Sequence, residues 1–243
     1  MTKKEIASYI DHTLLTPQAG IKQIALLCQE AIRYGFASVC VNPIYVSSAA
    51  SELSGSDVKV CTVVGFPLGA TTTVAKVAEA CDAIRNGADE IDMVINIGAA
   101  KDGRISEVAT DILDVVIACK NEGQKIGKNI IVKTILETCL LDDKTIVSVC
   151  QAAKKAGADV VKTSTGFAAP KAIDGTLLPN GASEHHVKLM RETVGPEMGV
   201  KASGGIRSAR TTITMLEAGA NRIGTSSGVS IMDNWNEDIP VKI

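Results

Sequence analysis

The 243-residue sequence predicts an α/β fold, a single (β/α)8 TIM barrel that occupies residues 1–243 as one domain. Three observations predict it. Helical stretches that end in glycine run directly into short β-branched segments, and this unit recurs along the chain. Hydrophobic residues make up 46% of the chain but aromatic residues only 3%, so the core is aliphatic, as is typical of parallel strands covered on both faces. The length also fits one barrel of roughly 250 residues.

The repeated unit is clearest in four segments. They are YGFASVCVNP at 34–43, NGADEIDMVIN at 86–96, GADVVKTSTG at 157–166 and AGANRIGTSSG at 218–228. The glycine in each is the residue expected in left-handed conformation just after a helix. A connection of about two residues then leads into a buried strand. Serial units of this kind predict a parallel sheet.

Eight strands are predicted, near residues 8–13, 37–43, 58–66, 88–96, 129–137, 158–166, 199–206 and 222–226. Helices are predicted over 20–33, 43–53, 71–85, 104–120, 142–155, 183–194 and 207–217. Four polar residues stand where helix N-caps are expected: Thr71, Asp142, Ser183 and Ser208. An open doubly wound sheet is the competing fold, but it requires a glycine-rich fingerprint after the first strand. The segment TLLTPQAG at 13–20 does not supply one.

Composition narrows the class of protein. The net charge of −2 gives no electrostatic footprint for nucleic acid and no polybasic membrane patch. No apolar run approaches the roughly 20 residues of a membrane span, and MTKKEIASYIDHTLL lacks the apolar core of a signal peptide. The seven cysteines are odd in number and contain no C-x-x-C, so we expect reduced thiols in a cytoplasmic protein. Because neither cysteine nor histidine shows ligand spacing, no metal and no cofactor is expected.

Ionisable residues mark the carboxyl ends of the predicted strands, where barrel active sites lie. Strand 4 carries Asp92, strand 5 Lys133 and Glu137, strand 6 Lys162, and strand 7 Lys201. Alternation along the strands places Lys162 inside the barrel if Val161 faces the helices. Neighbouring strands lie about 4.8 Å apart, so Lys162 and Lys201 would repel each other, and repulsion and desolvation both lower the pKa of a lysine.

A lysine that is partly neutral attacks carbonyl carbon and forms a Schiff base. The sequence therefore indicates Lys162 as a nucleophile, with Lys201 beside it and Asp92 relaying protons or holding a water. The alternative is an ion network that merely fills the barrel centre. Two lysines on adjacent strands, each followed two residues later by serine, favour chemistry. Lys133 fits the structural role better, as a partner that neutralises Asp92 or Glu137.

Glycine and hydroxyl residues end the last three strands. Barrels often bind phosphate with the loops after strands 7 and 8, where backbone N–H groups approach the anion. The candidate phosphate-binding residues are Gly166, Gly204, Gly205, Ser226 and Ser227. Further candidates for the pocket are Asp11, Cys40, Lys133 and Thr165, although packing is the alternative for Cys40 and a structural hydrogen bond for the Asp11–His12 pair. His185 and His186 are expected on the solvated surface.

Segments from the first strand to the last carry a resemblance to a known family. They are YIDHTLL (9–15), ASVCVNP (37–43), VVGFPLG (63–69), EIDMVINIGAAKDG (90–103), KTILET (133–138), VKTSTGF (161–167), VKASGGIR (200–207) and RIGTSSG (222–228). With these, the chain resembles the deoxyribose-phosphate aldolases, which are class I, Schiff-base-forming enzymes. The resemblance implies reversible, metal-independent cleavage of 2-deoxy-D-ribose 5-phosphate to D-glyceraldehyde 3-phosphate and acetaldehyde, in the catabolism of deoxyribose phosphate.

The resemblance also implies roles for particular residues. Lys162 matches the Schiff-base lysine, Lys201 the lysine that lowers its pKa, and Asp92 the carboxylate of the proton relay. Gly166, Gly204, Gly205, Ser226 and Ser227 match the phosphate site. The implied partners are the small phosphorylated sugar and further copies of the chain, as a homodimer or homotetramer, with no nucleic acid and no membrane.

One departure from the family pattern concerns its C-terminal tail. Many members carry a tyrosine there that is thought to assist proton transfer, whereas this chain ends DIPVKI and has only Tyr9, Tyr34 and Tyr45. Two other functions therefore stay open. A sugar-phosphate isomerase or epimerase would share the phosphate loops without needing paired lysines. A catalytically silent barrel would bind a phosphorylated metabolite and perform no chemistry.

Overall fold

The structure, a computed structural model, describes residues 1–241 and contains a closed barrel of eight parallel strands. Each strand pairs with the next, and β8 pairs with β1. The strands are β1 (Ile10–Leu14), β2 (Ser38–Val41), β3 (Lys59–Val64), β4 (Glu90–Val94), β5 (Ile131–Ile135), β6 (Val160–Lys162), β7 (Gly199–Ser203) and β8 (Arg222–Thr225). The predicted fold class is confirmed, with strands shorter than predicted at most ends.

Helices cover the outside of the barrel. They are α1 (Lys3–Ala7), α2 (Ile21–Tyr34), α3 (Val46–Glu52), α4 (Thr73–Arg85), α5 (Ile97–Lys101), α6 (Ile105–Lys125), α7 (Asp143–Lys155), α8 (Glu184–Val194), α9 (Ala209–Glu217) and α10 (Gly228–Asp233). The short helices α1 and α5 were not predicted, and α6 continues five residues past its predicted end. In residues 1–241, none of the helices has both the length and the apolar character of a membrane span.

The predicted helix caps are confirmed at three of four places. The side chains of Asp142, Ser183 and Ser208 each accept a hydrogen bond from a backbone N–H in the first turn of α7, α8 and α9. The prediction of Thr71 was wrong, because Thr72 caps α4 through a bond from the N–H of Ala75. Adjacent threonines are equivalent in sequence, and only the phase of the helix decides which hydroxyl reaches that N–H.

Alternation along the strands separates two environments. Side chains such as Ile91, Met93 and Val161 point outward and pack with the helices into the main aliphatic core. Side chains such as Asp92 and Lys162 point inward, as the strand period requires. A small apolar cluster of Leu15, Cys40, Cys61 and Val63 shares the interior with the charged residues. The barrel centre is therefore polar, and most of the hydrophobic stabilisation lies between the barrel and its helices.

Gly69, in the loop after β3, packs closely against the backbone of Ile95 at the carboxyl end of the barrel. Its φ is +66°, and a Cβ would lie 1.8 Å from the carbonyl oxygen of Ile95. Gly35 has a similar φ of +71° but open space around it. We expect Gly35→Ala to lower the free energy of unfolding by about 1–2 kcal/mol through left-handed strain alone. Gly69→Ala should cost about 1–3 kcal/mol more, since the backbone must move.

Urea denaturation of both variants measures the difference. Equal losses for the two variants would show that Gly69 and Ile95 are not in close contact in the folded protein.

Candidate active site

Seven ionisable side chains meet inside the barrel and form one ion network: Asp11, Glu90, Asp92, Lys133, Lys162, Lys201 and Arg222. They come from β1, β4, β5, β6, β7 and β8. All but Arg222 are at least 96% buried. Four of the groups are cations and three are anions, so the fully ionised network carries one excess positive charge.

Asp92 lies at the centre of the network. Its Oδ2 accepts hydrogen bonds from Nζ of Lys162 at 2.7 Å and from Nζ of Lys201 at 2.8 Å. Its Oδ1 accepts from Nζ of Lys133 at 2.7 Å and from the thiol of Cys61 at 3.2 Å. Burial raises the pKa of Asp92, but the three ammonium groups outweigh burial and hold that pKa well below its ordinary value. Asp92 is therefore a carboxylate shared by three lysines.

The other two carboxylates, Asp11 and Glu90, also pair with lysines of the network, and both bind Arg222. Asp11 forms ion pairs with Lys201 and with Arg222, the latter at 2.6 Å. Glu90 pairs with Lys133 at 2.6 Å and with Arg222 at 2.9 Å. Burial lowers the pKa of Lys201, but the carboxylates of Asp11 and Asp92 outweigh it and raise the pKa above the ordinary value. Lys201 is therefore firmly protonated.

Lys162 differs from the other two lysines of the network. Lys133 and Lys201 each pair closely with two carboxylates, whereas within residues 1–241 Lys162 forms an ion pair with Asp92 alone. Lys162 is thus the lysine of the network that pairs with the fewest carboxylates.

A cavity of about 400 Å³ opens at the carboxyl ends of the strands and includes Lys162 in its wall. Its other lining residues are Thr13, Leu14, Leu15, Thr16, Thr165, Gly166, Phe167, Ser203, Gly204, Gly205, Ile206, Arg207, Gly224, Thr225 and Ser226. Of the five residues predicted to bind phosphate, Gly166, Gly204, Gly205 and Ser226 line this cavity. Ser227 does not line it, and its N–H donates to the Thr225 hydroxyl at 2.9 Å.

Glycine is required where the loop before α8 crosses the end of β7. Gly204 has a φ of +85°, and a Cβ there would lie 2.7 Å from Cα of Gly181. The N–H of Ala182 donates to the carbonyl oxygen of Gly204 at 3.1 Å. Two backbones therefore touch at this wall of the cavity, and no side chain fits between them.

The four further pocket candidates fall in different places. Thr165 lines the cavity. Asp11 and Lys133 are fully buried beneath it as members of the ion network. Cys40 is fully buried in the apolar cluster with Leu15, and packing is its structural role. Lys133 pairs with Asp92, as predicted, and with Glu90, but it forms no ion pair with Glu137 among the described residues.

The three histidines lie outside the ion network. His12 points away from the barrel centre, bonds Glu30 at 2.7 Å and packs on Phe36. His185 is exposed and pairs with Asp143 at 2.8 Å, while His186 is partly buried. None of the three tyrosines lines the cavity formed by residues 1–241. Lys242 and Ile243, which complete the DIPVKI end, lie outside the described residues.

Sequence reasoning missed three residues that shape the site, and it placed Glu137 only as a possible partner of Lys133. Glu90 and Arg222 complete the ion network, and Arg207 brings a positive charge to the cavity. Glu137 bonds the backbone and hydroxyl of Thr165. Glu90 could have been found, because it lies two residues from Asp92 and so faces the same side of β4.

Comparisons with known proteins agree on one family. A family model described as DeoC/LacD family aldolase matches residues 6–234. A deoxyribose-phosphate aldolase from Thermoanaerobacter pseudethanolicus is 53% identical over 96% of this chain and 97% of its own length. One from Streptococcus pneumoniae is 56% identical, covering 94% and 96%. The solved structure of a deoxyribose phosphate aldolase from Aeropyrum pernix, described as a unique tetramer, is 35% identical with a TM-score of 0.84, covering 96% of this chain and 91% of that chain.

The ion network makes stability depend on pH in a defined direction. Burial raises the pKa values of Asp11 and Asp92, but the surrounding cations lower them by more, so both pKa values lie below their ordinary value. A carboxylate with a lowered pKa stabilises the fold above its ordinary pKa of about 4 and loses that contribution as the pH falls further. We therefore expect the free energy of unfolding to fall steeply below about pH 4.

Chemical denaturation from pH 3 to 7 measures this slope. Asp92→Asn should be less stable at pH 7 and show a shallower slope, whereas Asp82→Asn, at an exposed position, should keep the wild-type slope. A wild-type slope in Asp92→Asn would contradict the assignment.

Proposed function

The chain belongs to the DeoC/LacD family of aldolases, and we propose that it cleaves 2-deoxy-D-ribose 5-phosphate through a Schiff base on Lys162. The products are D-glyceraldehyde 3-phosphate and acetaldehyde, and the reaction is reversible. One observation carries the assignment of the nucleophile. Lys162 is the lysine of the network that faces the cavity and pairs with a single carboxylate.

The first step forms the covalent intermediate. Neutral Lys162 attacks C1 of the open-chain sugar, and the resulting carbinolamine loses water to give an iminium ion. Asp92 Oδ2 lies between the side-chain nitrogens of the two lysines, 2.7 Å from Nζ of Lys162 and 2.8 Å from Nζ of Lys201. This carboxylate orients the amine, and Lys201 donates the proton that the departing hydroxyl needs.

The second step breaks the carbon–carbon bond. The iminium ion accepts the electron pair of the C2–C3 bond while the C3 hydroxyl loses its proton, so that glyceraldehyde 3-phosphate leaves and an enamine remains. Protonation of the enamine carbon and addition of water then release acetaldehyde and restore Lys162. Asp92, Lys201 and a water molecule carry the protons in this scheme.

The phosphate end of the substrate fits the opposite part of the cavity wall. Gly166, Gly204, Gly205 and Ser226 line that part of the cavity, and loops after the last strands of a barrel commonly bind phosphate. Arg207 adds a positive charge that complements the dianion. We assign no direct contact to Ser227, whose N–H is already bonded to Thr225.

The assembly and location of the protein are also part of this proposal. The tetrameric description of the Aeropyrum pernix relative supports a homo-oligomer, either a dimer or a tetramer. All seven cysteines are free, and Cys28, Cys40, Cys61, Cys119 and Cys150 are buried. Thiols that stay unpaired suit a reducing compartment such as the cytoplasm.

Borohydride trapping tests the nucleophile directly. The protein is incubated with acetaldehyde, reduced, digested and analysed by mass spectrometry. We expect an aldehyde-dependent adduct on the peptide that carries Lys162 and none in Lys162→Arg, which keeps the charge but cannot form the imine.

An adduct of comparable yield on Lys201 or Lys133 would keep the aldolase chemistry and overturn the assignment of Lys162. If no strand lysine in the folded protein forms an adduct, an isomerase or a silent phosphate-binding barrel becomes the better function.

Removal of Lys201 tests the charge argument. Lys201→Leu removes the positive charge that shares Asp92 Oδ2 with Lys162, and with it the ammonium group that donates a proton in the proposed scheme. We expect kcat at neutral pH to fall by about 10²–10⁴-fold.

A coupled assay of glyceraldehyde 3-phosphate release measures this loss across pH. Lys201→Arg, which keeps the positive charge, should retain more activity than Lys201→Leu. A near-normal rate for Lys201→Leu at neutral pH would refute the role of Lys201.

A further inference from the structure

Glu137 has an unusual backbone conformation at the edge of the cavity. It follows β5 at the carboxyl end of the barrel and is 1% exposed. Its φ of 58° makes it the one non-glycine residue with a positive φ in the part of the chain that the structure describes. Such a conformation is costly for a residue with a side chain and persists where the surroundings hold it. The strain therefore points to a task for the Glu137 side chain.

The Glu137 carboxylate accepts hydrogen bonds, and most of them come from Thr165. The N–H of Thr165 lies 3.3 and 3.2 Å from its two carboxylate oxygens, and the Thr165 hydroxyl forms a short bond to Oε2. The thiol of Cys139 lies 3.7 Å from Oε1. Each of these contacts presents a donor to a Glu137 oxygen, and a carboxylate accepts at both oxygens whereas an amide accepts at one.

The Thr165 hydroxyl links Glu137 to the backbone of Phe167. Because its hydrogen is directed to Glu137, its oxygen is free to accept, and it accepts the N–H of Phe167 at 3.1 Å. Thr165, Gly166 and Phe167 all line the cavity, as Lys162 does. We call these three residues the Thr165–Phe167 wall. Glu137 is thus bonded to the first residue of the wall and acts on its third residue through the hydroxyl.

We propose that Glu137 is a positioning residue that holds the Thr165–Phe167 wall in the shape that binds the phosphorylated substrate. This inference rests on the proposed function, because Gly166 in the wall is assigned to the phosphate end of the sugar. The wall connects β6, which carries Lys162, to the long loop before α8. A fixed wall holds the groups that bind the phosphate in place, and a loose wall weakens the binding of the phosphate equally in the ground state and in the transition state.

A direct role of Glu137 on Lys162 is the competing explanation. Lys162 pairs with Asp92 and forms no ion pair with Glu137 among the described residues. The bonds of Glu137 to Thr165 engage both of its oxygens. Burial raises the pKa of Glu137 against the opposing effects of the Thr165 bonds and the Lys162 charge, so its carboxylate is lost at a higher pH than that of an ordinary glutamate. The geometry favours the positioning role.

Glu137→Gln separates the two explanations by the kinetic constant that changes. The amide keeps the size of the side chain but turns an NH₂ group toward donors, so the bonds to Thr165 are weakened. We expect the KM for deoxyribose 5-phosphate to rise about tenfold or more, with kcat changed less than about threefold. The rate of borohydride-trapped adduct formation with acetaldehyde, which has no phosphate, should stay near that of the wild type.

A matched control and a second variant complete the test. Glu122→Gln also replaces a buried glutamate with charged partners, Arg85 and Lys125, but lies on α6 away from the cavity and should change neither constant. Thr165→Val removes the hydroxyl and leaves Glu137 in place, so it should raise the KM by itself even if Glu137→Gln fails to fold. In the double variant, Glu137→Gln should add less than it does alone.

The outcomes are distinct. An unchanged KM in both Glu137→Gln and Thr165→Val overturns the proposal. A slower acetaldehyde adduct in Glu137→Gln with an unchanged KM also overturns it and assigns Glu137 to chemistry at Lys162. Absence of any adduct in the wild type would instead be a failure of the proposed function, independent of Glu137.

Discussion

The hydrogen bonds of three lysine ammonium groups to the single carboxylate of Asp92 are the interaction on which the rest of the site depends. Asp92 is fully buried, and an unpaired charge at that depth costs several kcal/mol. Its partners come from the three following strands, so the network links β4, β5, β6 and β7 through side chains as well as through the backbone ladder. The register of these strands therefore also sets the relative positions of the side chains in the candidate active site.

The net charge of the ion network bears on whether the network has only a structural role. An ion network that only fills the barrel centre would be expected to have equal numbers of positive and negative charges, because excess charge in a low-dielectric interior is costly. Here four cations share three carboxylates, and Lys162 is the lysine with the fewest carboxylate partners. That lysine is also the one in the cavity wall. The lysine with the fewest carboxylate partners is thus the one that we propose as the nucleophile.

The walls of the cavity are built differently from its floor. The floor is made of strand residues whose positions follow from the barrel, whereas the walls are loops shaped by glycines and by one strained glutamate. Gly204 permits the close approach of Gly181, and Glu137 holds Thr165 across from it. In the proposed reaction, the strands position the reacting groups and the loops bind the substrate, a division typical of barrel enzymes.

The sequence by itself determined the parts of this protein that depend on local periodicity. The helix–glycine–strand repeat predicted the barrel, and strand alternation placed Lys162 inside it, because backbone geometry sets both patterns within a few residues. Local patterns also had a limit, since Thr71 and Thr72 could not be distinguished as the cap of α4. The pair of Lys162 and Lys201 could be found because both lie at corresponding positions of adjacent strands.

Only the tertiary structure decided which charges pair and which side chains reach the cavity. Asp11 and Arg222 are 211 residues apart and meet only because β8 closes against β1. Closure, together with the stagger of the strands, also places Lys133 beneath the cavity and Thr165 in its wall. Contacts of this kind depend on how the strands are displaced along the barrel axis. Such a displacement does not change the alternation of residues within any one strand. The roles of Glu137 and Arg222 could therefore not be predicted.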